Sequence, residues 1–149
     1  MKKIVLLLFV LVATSCSSIA NNKMFDRFKD RFAEDYERIT GKVIEDWFWD
    51  IPINFVKEHK GNEDALGVCH WHKKPFENFN YITINLRDWN TTIANEISRE
   101  IVVFHELGHC YLYREHTEDF SIMRKYVMRH NTYFWNRERL LKELFKEVE

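Results

Sequence analysis

Ile101-Val102-Val103-Phe104-His105-Glu106-Leu107-Gly108-His109-Cys110 is the stretch whose reading decides this chain. Ile93, Ile97, Ile101, Phe104 and Gly108 recur at three- and four-residue spacing, which marks a helix. Val102 and Val103 add apolar surface on other faces, so the helix is expected to be buried on most sides. His105 and His109 stand one turn apart on one face, and both imidazoles can reach a single metal ion. Glu106 follows the first histidine, where a carboxylate reaches a metal-bound water rather than the metal. Zinc lowers the pKa of such a water. Glu106 then serves as general base during attack on a carbonyl and can pass the proton to a leaving nitrogen. Two histidines inside so apolar a helix are costly unless they are paired or hold a metal.

A catalytic zinc site needs a third protein ligand. His116 lies seven residues past His109. On a continued helix it would face the right way but lie roughly 10 Å along the axis. The helix is therefore expected to end near Cys110 to Tyr113, with the chain turning back. The polar run Arg114-Glu115-His116-Thr117-Glu118-Asp119, followed by Ser121-Ile122-Met123, agrees with that. Glu118, Asp119 and Glu138 are the alternative third ligands.

His-Glu-x-x-His, a third His and Ser-x-Met together resemble the zincin metallopeptidases, and within them the metzincin type. The helix also resembles small bacterial lipoprotein metallopeptidase-like proteins. The resemblance covers roughly residues 67–123. It implies His105, His109 and His116 as zinc ligands, Glu106 as catalytic base and Met123 as the Met-turn residue. It further implies that the strand Phe79–Leu86 is an edge to which extended peptide substrate pairs. The chain departs from the pattern in its spacing, for metzincins place the third His six residues after the second. Their turn Gly is replaced by the region of Leu112 and Tyr113, and Tyr126 lies three residues past Met123 rather than two. Two functions from different classes follow. One is a zinc metalloendopeptidase acting on peptide or protein substrates. The other, motivated by the departures, is a non-catalytic zinc-binding or structural lipoprotein interaction module.

The start of the chain reads as an address. Met1-Lys2-Lys3 is basic and Ile4 to Val12 is an apolar run of nine residues, where a bilayer-spanning helix needs about 20. Val12-Ala13-Thr14-Ser15-Cys16 resembles a bacterial lipobox. The expected organisation is a lipoprotein signal peptide over 1–15, lipidated Cys16 with a polar tether over 16–23, and a domain over 24–149. The expected location is the bacterial cell envelope, anchored by lipid and facing the periplasm or the surface. Removing the signal leaves 20 basic against 23 acidic residues, so no basic excess points to nucleic acid. Cys69 and Cys110 remain, either bonded to each other or free and buried.

Elsewhere, Phe25, Phe28, Phe32, Tyr36 and Ile39 predict an amphipathic helix closed by Gly41. Strands are expected at residues 51–56, 65–72 and 79–86, with His70 and His72 sharing one strand face. Residues 88–92 supply N-cap candidates for the histidine-bearing helix, and a last amphipathic helix is expected over 133–148. His59 and His130 read as surface residues. Helix, strands, helix, helix suggests an α+β class. The expectation is a zincin-like fold with a small mixed sheet packed against the N-terminal and active-site helices.

Overall fold

The structure, a computed structural model, describes residues 17–61, 64–71 and 80–146, with backbone alone for 17–22. Cys16 and His72 lie outside the described residues. The architecture is α+β: a three-stranded mixed sheet against four helices.

Helix α1 spans Ser17–Thr40, so the stretch read as a tether is helical from Ser17 onward. Its aromatic stripe is the first wall of the core, with Phe25, Phe28 and Phe32 buried. Gly41 ends it at φ 71°, a left-handed conformation that costs glycine little. No helix among the described residues is long and apolar enough to cross a membrane.

A single 3-10 turn, Asp46–Phe48, precedes strand β1, Ile53–Val56. Strand β2 is Gly67–His70 and β3 is Tyr81–Asn85. The order is β1-β3-β2, with β1 parallel and β2 antiparallel to β3. This corrects the expectation for the third strand. It is central rather than an edge, because β1 and β2 flank it, and β2 is the edge strand. Ile82 and Ile84 point into the core. Their partners Cys69 and Gly67 share that face, since residues directly opposite in an antiparallel pair project to the same side.

Asn85 ends β3 and caps the short helix α2, Leu86–Asn90, by accepting from the backbone N–H of Arg87 and Asp88. The N-cap candidates at 88–90 therefore belong to α2. Helix α3, Glu96–Cys110, is capped instead by Asn95, whose Oδ1 accepts from the Ser98 N–H at 2.8 Å. Ile93 precedes that helix. Helix α4, His130–Leu144, starts three residues earlier than expected and buries Leu140, Leu141 and Leu144.

Two devices join the layers. Phe32 meets the rings of Phe48, Phe104, Tyr111 and Phe145, so one side chain links α1, the 3-10 turn, α3 and the end of α4. Arg137 then ties three helices through polar contacts, with Nε donating to Glu100 at 2.8 Å and Nη2 to Asp35 at 2.6 Å. Tyr133 donates to the same Glu100 oxygen at 2.8 Å. Glu100 and Asp35 are both buried, so Arg137 supplies the charge that each needs. Cys69 and Cys110 form a disulfide with Cα atoms 5.6 Å apart, closing a separation of 41 residues. By chain entropy a loop of that size is worth about 4 kcal/mol.

Replacing Phe32 with Ala opens a void at the junction of these elements. The expected loss is about 3–5 kcal/mol, read from the midpoint of urea unfolding. A loss below about 1 kcal/mol would deny Phe32 its linking role.

Candidate metal centre

The chemistry assembles at the C-terminal half of α3. Helical spacing puts His105 and His109 on one face, and backbone carbonyls fix their rings. His105 Nδ1 lies 2.8 Å from the Ile122 carbonyl oxygen, and His109 Nδ1 lies 2.5 Å from that of Arg114. A carbonyl only accepts, so both Nδ1 atoms carry the proton and both Nε2 atoms present a lone pair. His116 completes the group. The three Nε2 atoms are 3.1 Å from one another in every pairing. Lone pairs held this close repel unless a cation stands between them. At the usual zinc–nitrogen distance of about 2.0–2.1 Å, one ion would be within reach of all three Nε2 atoms. The residues present therefore fit a metal ion. They are the metal-holding group found among the described residues.

The return of the chain to the site is built without glycine. After Cys110, Tyr111 N–H still bonds to the Leu107 carbonyl, and Arg114 N–H reaches back to Gly108 at 3.0 Å. Between them Tyr113 takes φ 55°, the left-handed conformation a Gly would adopt more readily. Arg114 does two jobs. Its carbonyl holds His109, and its guanidinium caps the end of α4 through the Lys146 carbonyl at 2.9 Å and the Glu143 carboxylate at 3.0 Å. Cations suit a helix C-terminus because the last carbonyls are unpaired there.

Met123 lies under the helix, fully buried. A Cβ built on Gly108 would fall 2.5 Å from its sulfur and 3.1 Å from Leu144 Cδ1, so a larger residue there would force Met123 to move. Ser121 holds the turn. Its hydroxyl accepts from the Met123 N–H at 2.8 Å, and Thr117 N–H bonds to the Met123 carbonyl. The Ser-Ile-Met segment thus supports His105 through Ile122 and fastens the strand beside His116.

Glu106 is buried at 5% exposure and sits against β2. The Cys69 backbone is its polar neighbour on that strand. A Cβ at Gly67 would lie 2.7 Å from its Cγ and 2.8 Å from Oε1. Burial pushes the Glu106 carboxyl up to about 8, against the Cys69 backbone that lowers it. Burial likewise pushes His105 down to about 4, helped by the neighbouring His109 and His116, and it lowers His109. Both rings are thus neutral and free to bind a cation near neutral pH. His105, Glu106, His109 and His116 line one cavity of about 550 Å³, with Leu66, Ile101, Val102 and Ile122 among its apolar walls.

No family model, curated protein or solved structure matches the chain.

The alternative ligands fall elsewhere. Glu118 and Asp119 are exposed and outside the histidine group. Glu138 is paired with Arg38 at 3.0 Å on the outer face of α4. His130 is exposed as expected, whereas His59 is buried, a correction to its reading as a surface residue. Its Nδ1 lies 3.3 Å from the Thr83 hydroxyl, on the sheet face away from α3, and that hydroxyl also meets His70. Gly67, Tyr113 and Arg114 were missed from sequence. Gly67 alone left a signal, since a glycine inside a strand marks a close approach.

Two expectations follow. Arg114→Ala frees the loop that carries the His109 acceptor and should weaken zinc binding about 10-fold, measured by competition with a chelating dye. Equal affinity would show that the guanidinium anchor is idle. The second concerns pH. In the metal-free fold Glu106 keeps its proton up to about 8, whereas unfolded it loses it near 4.5. The folded state therefore binds more protons across that window, and stability falls as pH rises through it. His105 acts oppositely, losing stability as pH drops from 6.5 toward about 4. Between pH 6.5 and 8 metal-free protein should lose stability, and Glu106→Gln should flatten that slope. Parallel slopes in urea titrations of the two proteins would refute the assignment.

Proposed function

We propose that the chain is a zinc-dependent metallopeptidase of zincin type, with a metzincin-like Met-turn at Met123. The single observation that carries the reading is the convergence of three histidine Nε2 atoms at 3.1 Å beside a buried carboxyl. Three protein ligands leave a coordination position open, as a catalytic rather than a structural zinc requires. When bound, zinc supplies a Lewis acid that polarises a carbonyl and acidifies a water, and its charge draws the Glu106 carboxyl down from its metal-free value.

The chain's own residues do the rest. His105 and His109 are held in one tautomer by Ile122 and Arg114, so no ring rotation accompanies binding. Glu106 lies one residue from the first ligand and opens to the same cavity. As a carboxylate it accepts the proton of the attacking water, and as an acid it donates that proton to the departing amine nitrogen. Close packing of the β2 backbone at Gly67 limits the orientations of the carboxyl, which leaves it fewer to lose. Strand β2 borders the cavity through Gly67 and Cys69 and is paired on one side only among the described residues. An extended peptide can add to that edge by main-chain hydrogen bonds. The apolar walls near Ile101, Val102 and Ile122 take a side chain of the peptide. Attachment to the bacterial envelope through Cys16 belongs to the same proposal and places the substrate outside the cytoplasm.

Purified protein loaded with zinc and offered a mixture of peptides tests the reading. Glu106→Gln should keep about one zinc per chain and lose hydrolysis by about 10²–10⁴-fold. Full activity in that variant would sink the mechanism. Absence of cleavage by the zinc-loaded parent would favour the non-catalytic zinc-binding module.

A further inference from the structure

The disulfide sits at an unusual place for a bond that only staples the fold. Cys110 is the last residue of α3 and adjoins the ligand His109. Cys69 lies on the edge strand and lines the same cavity as Glu106, with its backbone as a polar neighbour of the carboxyl. Two residues earlier Gly67 packs so closely on the Glu106 side chain that a single added carbon would collide. The β2 backbone is therefore the floor on which the carboxyl rests. The strand is four residues long, every one of them only partly buried, and its ladder runs to β3 rather than to the helix. Among the described residues the disulfide is the covalent tie across the β2–α3 interface.

We propose that the Cys69–Cys110 bond positions Glu106, so that the site acquires its aligned base only after oxidation; this rests on the peptidase reading above. Bond formation withdraws two electrons and two protons from the two thiols. They pass by thiol–disulfide exchange to a disulfide oxidant, small or protein-borne, which departs as a dithiol. In the reduced chain the two sulfurs move from bonding to contact distance, and the β2 backbone is free to shift against the Glu106 carboxyl. The metal ligands keep their places, because the carbonyl anchors of His105 and His109 come from Ile122 and Arg114 in the chain after α3 rather than from β2. Reduction should therefore separate base from metal. Zinc stays and hydrolysis falls. The bond is reachable, for Cys69 lines the cavity while Cys110 is buried behind it. A chain of this design is idle in a reducing compartment and active in an oxidising one.

The test uses the zinc-loaded full-length protein in detergent. Treatment with tris(2-carboxyethyl)phosphine splits the bond to two thiols, the phosphine taking an oxygen from water. Expected are a fall in kcat of about 10- to 100-fold, one zinc retained, and an unchanged far-ultraviolet circular dichroism spectrum. Oxidised glutathione, added after removal of the phosphine and reduced to two thiols per bond formed, should restore kcat. The double variant Cys69→Ser with Cys110→Ser should match the reduced protein and ignore both reagents. Unchanged kcat on reduction overturns the proposal. So does loss of zinc or of the dichroism signal, since the bond is then a general staple. If the oxidised protein hydrolyses no peptide, the peptidase reading fails separately. Hydrogen exchange then decides the positioning alone: the amide of Cys69 should lose protection on reduction while those of α3 keep theirs, and unaltered protection at Cys69 overturns it.

Discussion

Three histidine Nε2 atoms held 3.1 Å apart, two of them fixed as lone-pair donors, are the constraint around which this molecule is built. Such an arrangement is unfavourable by itself, so each ring must be locked by something stronger than its preference to turn away. For His105 and His109 the lock is a backbone carbonyl on Nδ1. Neither carbonyl belongs to α3. Both come from the chain after it, so that segment must stop its helix, reverse and pass twice beneath the histidine face. Much of residues 110–124 answers to this demand. Tyr113 supplies the reversal, Arg114 fastens it to α4, and Ser121 closes the turn that carries Ile122.

Burial of the acid and the imidazoles costs free energy that the surrounding core must offset. A carboxyl pushed up to about 8 and an imidazole pushed down to about 4 are signs of that cost. The offset comes from the aromatic junction at Phe32 and from the helix interface organised by Arg137, both distant from the cavity. A fold loaded with rings on one side thus carries ionisable groups on the other. The same economy of space explains two of the four glycines. Gly108 yields room to Met123, and Gly67 yields room to Glu106.

Much of this was legible in the sequence because it depends on local spacing. A period of three to four residues marked α1 and α3, and the four-residue interval between histidines aimed both at one point. The need for the helix to stop before His116 followed from its rise per residue. What stayed illegible depends on distant partners. Strand order is one case: nothing in residues 79–86 says that β1 and β2 will flank them. His59 is another. Its neighbours Glu58 and Lys60 are charged, yet its ring turns under the sheet to reach Thr83. Asn95 outcompeted the earlier cap candidates because those residues were already used in α2, whose own cap, Asn85, lies within the strand signal. Arg114 could not be found, since its role exists only where the end of α4 comes to meet it.

The seven-residue interval from His109 to His116 and the lack of a glycine within it have one physical cause between them. Reversing a chain right after a helix calls for a residue in the left-handed region, and any residue but glycine pays roughly 1–2 kcal/mol there. Between His109 and His116 the left-handed position falls on Tyr113. Its ring approaches Trp47 and Trp71, with centroids 6.4 Å away in both cases. Aromatic pairs of this kind contribute about 0.5–1.5 kcal/mol beyond their burial, which is comparable with the backbone penalty. The next residue adds the Arg114 contacts to α4. A glycine would relieve the backbone and forfeit the ring, so the interval and the tyrosine form a single solution. His116 reaches the other two histidines through that turn.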